Sequence, residues 1–383
     1  SDDACGRAIC GLGAAVAHAS WPNVRDAAET LFGQCGPFTS IWPRALAHAA
    51  IGAAAAYASS APAFYAFSAL PLLAMVVQLA AQGGRTWDDY LELGVLAALR
   101  AARDITGADR VNALGFCVGG TLLGAALAVL AAKGEELVES VTLLATMLDF
   151  SDTGQIGLFV DEASVAQREA ALGAGGILPG VELSAVFSSL RANDLIWPYV
   201  VNNYLKGGKP AAFDLLYWNA DGTNLPGPMY CWYLRHAYLE NKLRVPGALQ
   251  NLGVPVDLGK VDRPSFIVAT REDHIVPWRS AYRSLALLGG EKTFVLGASG
   301  HVAGVINPAS KNRRSYWTGA RHPQDPDAWM EHAAEHAGSW WTQWAGWLAQ
   351  HGGGKRKAPK KEGNARFKAI EPAPGRYVKQ KAN

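Results

Sequence analysis

Short apolar runs alternate with longer helical patterns over two stretches of the chain. Four runs are bounded by turn residues and carry few charges, which is typical of buried parallel strands. These runs are Arg110–Leu114, Ser140–Met147, Ser265–Arg271 and Lys292–Leu296. Apolar faces at helical spacing predict helices over Thr86–Ala108, Thr121–Lys133, Trp278–Leu288 and Pro326–Gln350. The alternation predicts an α/β architecture with a mostly parallel sheet.

The alternation stops between Leu148 and about Val261, where the sequence is irregular and rich in aromatic residues. An insertion of this size between two strands is typical of a cap or lid, and most of its aromatic side chains are interpreted as the lid's own core. The aromatic residues are Phe187, Trp197, Tyr199, Tyr204, Phe213, Tyr217, Trp218, Tyr230, Trp232, Tyr233 and Tyr238. The predicted parts are an atypical segment 1–85, a first core part 86–148, a lid 149–261, a second core part 262–352 and a basic tail 353–383.

The atypical segment is rich in Ala, Gly, Ser and Pro, and carries no Asp, Glu, Lys or Arg between Arg44 and Arg85. By length and lack of charge, Ala61–Ala81 qualifies as a transmembrane candidate. Pro62 and Pro71 interrupt that run, and alanine is only weakly apolar. Buried helices are therefore favoured, and integral membrane insertion is not expected.

Composition narrows the classes of partner. The net charge is +2, so the body of the chain predicts no nucleic-acid partner, and the basic tail is interpreted as a solvated terminus. The five cysteines, at positions 5, 10, 35, 117 and 231, show no metal-binding spacing. Free thiols, a reducing compartment and no metal site are predicted.

Residues 115–120 (GFCVGG) join a predicted strand to a predicted helix, the context of a nucleophile elbow. Gly115 and Gly119 are expected to remove clashes at the elbow, with Gly120 beside them. Cys117 is the candidate nucleophile, and the backbone N–H of Val118 is the candidate oxyanion donor. A structural cysteine in a glycine-rich turn fits the bare motif equally well, and only the context favours the nucleophile.

Asp273 and His301 follow Cys117 in the order nucleophile, acid, histidine, each after a predicted strand. His301 is predicted to be the base that takes the thiol proton, and Asp273 to orient it. His274 is a rival base and receives a supporting role. A cysteine that attacks a thioester forms another thioester and keeps the acyl group activated, which favours acyl transfer over hydrolysis. A cysteine hydrolase of the same fold stays open.

Five longer motifs carry a family resemblance: 115–120 (GFCVGG), 217–226 (YWNADGTNLP), 271–278 (REDHIVPW), 297–308 (GASGHVAGVINP) and 370–378 (IEPAPGRYV). From about Thr86 to its end the chain resembles class I polyhydroxyalkanoate synthases. The resemblance implies an α/β-hydrolase fold with a lid, and polymerisation of (R)-3-hydroxyacyl-CoA on Cys117 with His301 and Asp273. Trp218 and Asn219, in the second motif, are assigned a supporting role in a dry route to the site.

The resemblance also implies no cofactor beyond the CoA leaving group, a homodimer, and a cytoplasmic location at the surface of polymer granules. The front of the chain departs from the family, because residues 1–85 show neither β-branched strand runs nor the expected Val-Pro-Pro-like loop. An out-of-frame reading of a GC-rich gene is one hypothesis for this segment. A thioesterase, or a catalytically incomplete granule- or membrane-associated homologue, are the alternatives.

Overall fold

One six-stranded sheet forms the centre of the structure, a computed structural model that describes residues 83–209, 223–353 and 363–369. Its strands lie in the sheet in the same order as in the chain, with β1 to β4 parallel and β5 and β6 antiparallel. The strands are β1 (Val111–Phe116), β2 (Val138–Leu144), β3 (Ser265–Thr270), β4 (Lys292–Gly297), β5 (Ser315–Thr318) and β6 (Ala334–Ala337).

The four predicted apolar runs become the parallel strands β1 to β4, so the predicted α/β fold is confirmed. All six residues of β3 are buried, as expected for a strand covered on both faces. Because the carboxyl ends of parallel strands meet at one edge, the residues after β1, β3 and β4 are brought together there. These residues are Cys117, Asp273 and His301.

A helical stretch precedes β1 and begins at a capping box. The side chain of Thr86 accepts from the Asp89 N–H at 3.1 Å, and the Asp89 carboxylate accepts from the Thr86 N–H at 2.8 Å, which satisfies two N–H groups of the first turn. The stretch ends at Gly107 in a left-handed conformation. The predicted helix is thus confirmed, with a π-helical middle turn: Trp87–Asp89, Tyr90–Leu96 and Ala97–Thr106.

The elbow helix, Val118–Lys133, follows β1 and is buried over most of its length. It packs between the sheet and the helical stretch that precedes β1. A helix that is apolar on all sides belongs in the interior of a large domain. Its position fixes where Cys117, its N-cap residue, meets the edge of the sheet.

The region between β2 and β3 contains short helical segments and two ladders of two-residue strands. The ladders pair Ile177–Leu178 with Leu225–Pro226, and Gln250–Asn251 with Val254–Pro255. The helical segments are Gly154–Phe159, Glu162–Leu172, Gly180–Leu190, Ala192–Leu195, Trp197–Tyr199, Val200–Leu205, Gly227–Trp232, Tyr233–Leu239, Lys242–Arg244 and Leu258–Lys260.

The aromatic side chains of this region do not share one environment. Trp232, Tyr233 and Tyr238 pack against the main hydrophobic core. Tyr204 is 84% exposed and Trp197 is 55% exposed, so for these two the prediction of a lid core is wrong. Leu158, Val181 and Leu205 of the same insertion are also exposed, so several of its large apolar side chains face solvent.

Several predictions fall outside the described residues. These are most of segment 1–85 with its transmembrane candidate Ala61–Ala81, the supporting residues Trp218 and Asn219, and most of the tail 353–383. Within residues 83–209, 223–353 and 363–369, no helix has the length and apolar character needed to cross a bilayer.

The prediction of one helix over Pro326–Gln350 is wrong. Ala334–Ala337 instead forms β6 and pairs with β5 at the edge of the sheet. Gly338, with φ of 101°, turns the chain back toward the interior. The helices that remain are Pro326–His332 and the C-terminal helix Trp341–Gln350. Trp278–Arg283, continued by the single turn Ser284–Ala286, lies between β3 and β4 as predicted.

The elbow depends on two glycines that lie too close to neighbouring atoms to carry a side chain. A Cβ on Gly115 would lie 2.5 Å from Gly120 Cα, and a Cβ on Gly120 would lie 2.6 Å from Thr146 Cγ2. A Cβ on Gly119 would meet nothing within 4 Å. The expectation that Gly119 relieves a clash is therefore wrong, and Gly120 has that role because β2 continues into Thr146 directly behind it.

We therefore expect Gly120→Ala to destabilise the protein by about 1–3 kcal/mol, the usual cost of overpacking a core. Gly119→Ala is the matched control, and its effect should be neutral or stabilising because alanine is favoured over glycine in a helix by about 1 kcal/mol. The midpoints of urea unfolding measure both. Equal midpoints for the two variants would contradict the packing at the elbow.

Candidate active site

Cys117 lies between β1 and the elbow helix in a strained conformation. Its φ is 55° and its ψ is −127°, a combination that residues other than glycine rarely adopt. Its N–H donates to Leu144 O at 2.9 Å, and its carbonyl oxygen accepts from Gly120 N–H at 2.9 Å and from the Thr146 hydroxyl at 3.3 Å. These hydrogen bonds come from the end of β2 and from the elbow helix, and together they hold the strained residue in place.

Asp273 and His301 form a buried hydrogen bond. His301 Nδ1 lies 2.7 Å from Asp273 Oδ2, and their side chains are 7% and 0% exposed. The other carboxylate oxygen accepts from the N–H groups of Ile275 and Val276, each at 2.9 Å. Thr270, at the end of β3, donates its hydroxyl to Oδ2 at 3.2 Å. With both oxygens engaged as acceptors, Asp273 is held in place and orients the imidazole.

The other side of His301 is directed to the nucleophile. Its ring forms a hydrogen bond with the Cys117 side chain and stacks on Phe116, with centroids 5.0 Å apart. Since Nδ1 is paired with Asp273, the bond to sulfur uses Nε2. Cys117, His301 and Asp273 therefore form one hydrogen-bonded row.

The charges of this row change the pKa of His301. Burial alone would lower it, but the negative charge on the Cys117 sulfur and the hydrogen bonds to Asp273 and Cys117 raise it to about 10. The imidazole next to the sulfur can therefore hold the thiol proton once that proton has been transferred from Cys117. This arrangement can attack a carbonyl carbon and can then donate a proton to a leaving group.

A family model described as alpha/beta hydrolase fold matches residues 78–308. The chain belongs to the α/β-hydrolase family. The mostly parallel sheet and the elbow between β1 and the elbow helix agree with this match.

Three curated relatives are poly(3-hydroxyalkanoate) polymerases. The polymerase subunit PhaC of Cupriavidus necator is 60% identical over 308 residues, which are 79% of this chain and 52% of the relative. The corresponding subunit of Rhizobium meliloti is 44% identical over 298 residues, 78% of this chain and 48% of the relative. Polymerase 1 of Ectopseudomonas oleovorans is 42% identical over 299 residues, 78% of this chain and 53% of the relative. The resemblance to polyhydroxyalkanoate synthases is confirmed, and the chain spans about half the length of the curated relatives it matches.

His274, the rival base, is next to Asp273 in the chain but is not part of the hydrogen-bonded row of Cys117, His301 and Asp273. Asp273 forms its hydrogen bond with His301, and His274 Nδ1 is buried with no hydrogen-bond partner in the described part of the chain. Burial lowers the pKa of His274, and the nearby positive charge of Arg191 lowers it further. A neutral imidazole next to Asp273 suits the supporting role assigned to it, which stays a prediction.

The oxyanion donor also stays a prediction. Val118 is the first residue of a helix of 16 residues, and its N–H lies at the positive end of the helix dipole. Of the three glycines predicted to form the elbow, Gly115 and Gly120 are the two at which a Cβ would clash with a neighbour. No group of three or more His, Cys, Asp or Glu side chains among residues 83–209, 223–353 and 363–369 is arranged to hold a metal ion.

Sequence reasoning missed a tyrosine pair beside the nucleophile. Tyr233 and Tyr238 are hydrogen-bonded to each other, and Tyr233 also bonds to Thr121 in the elbow helix. Burial raises the pKa of both hydroxyls, and the charge on Cys117 contributes to the increase. As members of the aromatic insertion the two residues are predicted to belong to the lid's own core, since their i, i+5 spacing gives no sign that both hydroxyls face the elbow.

The raised pKa of His301 predicts a specific loss of stability in alkali. Because the pKa in the folded state, about 10, exceeds the ordinary value of 6.5, the protonated row contributes stability that is fully present below about pH 6.5 and is lost as the pH rises through about 10. The free energy of unfolding should fall more steeply across this range in the wild type than in His301→Gln. Parallel pH profiles from urea titrations would rule out the charged row.

Proposed function

We propose that this chain is the catalytic part of a class I polyhydroxyalkanoate synthase. It would polymerise (R)-3-hydroxyacyl groups from their CoA thioesters, with 3-hydroxybutyryl-CoA as a representative substrate, and would need no cofactor beyond that CoA. The observation that carries the proposal is the hydrogen-bonded row Cys117, His301 and Asp273 in an α/β-hydrolase whose relatives are named as polymerases.

The first step is acylation of Cys117. The thiolate attacks the thioester carbonyl, a C–S bond to Cys117 forms, and the C–S bond to CoA breaks. The departing CoA sulfur takes the proton from His301, which leaves the imidazole neutral. His301 thus acts first as the base that takes the thiol proton, the role expected from the sequence, and its raised pKa lets it hold that proton until CoA leaves.

The second step forms the ester. The hydroxyl of an incoming hydroxyacyl-CoA gives its proton to the neutral His301, and its oxygen attacks the acyl carbonyl on Cys117. A C–O bond forms and the C–S bond to Cys117 breaks, so the thiolate and the protonated imidazole return. The extended CoA ester then acylates Cys117 again and releases CoA.

Preorganised groups support both steps. Asp273 accepts from two N–H donors and a hydroxyl, and it keeps Nε2 of His301 directed at sulfur. The Val118 N–H, at the start of the elbow helix, would bind the oxyanion that develops in each tetrahedral intermediate. Since the nucleophile is returned as a thiolate, each cycle ends in the state in which it began.

Polymerisation also requires that water does not reach the acyl group on Cys117. The apolar side chains of Phe116 and Val118 flank the nucleophile, and the aromatic residues Trp232, Tyr233 and Tyr238 pack close by. A hydrolase would gain nothing from a nucleophile that keeps the acyl group as a thioester. These features favour a growing chain over water as the acceptor.

The partners and the location are part of the same proposal. The exposed apolar side chains Leu158, Val181, Tyr204 and Leu205, in the insertion between β2 and β3, support contact with a polymer granule or with a second copy of the chain. A homodimer at the granule surface in the cytoplasm is the arrangement that the family resemblance implies.

The fate of the acyl group is the deciding measurement. Incubation with (R)-3-hydroxybutyryl-CoA should give free CoA together with an insoluble polyester, which gas chromatography after methanolysis detects. Stoichiometric 3-hydroxybutyrate without polymer would establish a thioesterase and refute the polymerase. If CoA is not released by this chain but is released by one extended to the length of its relatives, the chain alone would be the incomplete homologue.

Cys117→Ala should abolish release of CoA, because no other group in the row can carry the acyl chain. Cys231→Ala is the matched control: Cys231 is buried in the insertion, and the variant should keep most of the wild-type rate. CoA release is followed with a thiol reagent at equal protein concentration. Activity retained in Cys117→Ala would exclude the covalent mechanism.

A further inference from the structure

The backbone that follows His301 is held by side chains from a later part of the chain. Trp340 Nε1 donates to Gly304 O at 3.0 Å, and Trp341 Nε1 donates to Val305 O at 2.9 Å. Arg314 donates to Ala303 O. The carbonyl oxygens of three consecutive residues close to His301 thus each accept a hydrogen bond from a long side chain.

The two tryptophans are themselves fixed. Trp340 is 1% exposed and Trp341 is 5% exposed, at the start of the C-terminal helix. Ser339, also buried, accepts from the Trp341 N–H at 3.1 Å and donates its hydroxyl to Asn307 O. A buried carbonyl oxygen without a hydrogen-bond donor lowers the stability of the folded state. Each indole therefore supplies the hydrogen bond that a loop carbonyl needs, and it also fixes the position of the loop.

The same loop packs closely against Thr270, which helps to orient Asp273. A Cβ on Gly304 would lie 2.5 Å from Thr270 Cγ2, and the Thr270 hydroxyl donates to Asp273 Oδ2. Movement of Gly304 away from Thr270 would therefore give the side chains of both Thr270 and His301 room to move. Both ends of the His301–Asp273 hydrogen bond depend on the position of this loop.

We propose that Arg314, Trp340 and Trp341 are positioning residues that hold the His301 loop, residues 301–305, so that the imidazole stays in reach of both Cys117 and Asp273. The proposal rests on the proposed function only for its catalytic consequence. A displacement of about 1 Å is enough to weaken proton transfer strongly. Since none of the three touches the sulfur, their effect passes through His301.

The test compares two tryptophans of one helix. Trp341→Phe removes the N–H that binds Val305 O, while Trp344→Phe removes an N–H that donates to Thr142 Oγ1 at 3.0 Å in β2 and not to the loop. The Trp344 ring contacts the rings of Trp340 and Trp341, and phenylalanine keeps an aromatic ring at that position. Alkylation of Cys117 by iodoacetamide, followed by mass spectrometry of its peptide across a range of pH, reports the thiolate that His301 stabilises. Thermal unfolding of both variants provides the stability correction.

We expect Trp341→Phe to lower the alkylation rate at neutral pH about tenfold, a part of what a well-positioned base contributes, and to lower the rate of CoA release more than it raises KM. Trp344→Phe should leave the alkylation profile within about twofold of the wild type, although both variants lose a buried hydrogen bond. An unchanged profile in Trp341→Phe, or the same change in both variants, would overturn the proposal.

Arg314→Gln provides a second test if Trp341→Phe does not fold, because Arg314 is exposed. It should lower the alkylation rate in the same direction, and an unchanged rate would count against the loop as a positioning device. Alkylation does not depend on the identity of the substrate. A lower rate in the loop variants of a protein that makes no polymer would support the positioning role and refute the proposed function, so the two failures are distinguishable.

Discussion

The hydrogen bond between His301 Nδ1 and Asp273 Oδ2 is the interaction on which the site depends. A buried carboxylate is stable only when its oxygens are paired, and two backbone N–H groups, a threonine hydroxyl and the imidazole satisfy this one. The carboxylate orients the imidazole, and the imidazole in turn reaches the sulfur of Cys117. Each group in the row is hydrogen-bonded to the next, which allows three ionisable groups to share a largely buried region.

Geometry at the elbow supplies the second requirement. Cys117 keeps a strained conformation because its carbonyl and N–H are bound from β2 and from the elbow helix, and because Gly115 and Gly120 let these elements approach closely. The strain brings the sulfur to the start of the elbow helix, where the helix dipole favours negative charge. Packing of the sheet and electrostatics of the row are thus two parts of one arrangement.

The insertion between β2 and β3 combines two surfaces. Its inner part brings Tyr233 and Tyr238 to the side of the row, and its outer part exposes apolar groups such as Val181 and Tyr204. An enzyme that extends an insoluble chain needs both a dry site and a surface that tolerates an apolar product. A hydrolase with soluble substrates has no need of the second, and the exposed apolar surface is therefore consistent with the proposed polymerase.

Local pattern by itself determined the parallel strands, the elbow, and the order of Cys117, Asp273 and His301, because burial on both faces and a strand–glycine–helix junction leave direct marks in a sequence. Only the tertiary structure decided which glycine is tight, since that depends on Thr146, which lies 26 residues after Gly120 in the chain. It also decided that Ala334–Ala337 is a strand and not part of a helix, because pairing with β5 outweighs helical propensity. The donors of Trp340 and Trp341 to the loop after His301 could not be predicted either, because hydrogen bonds between distant segments leave no periodic pattern in the sequence.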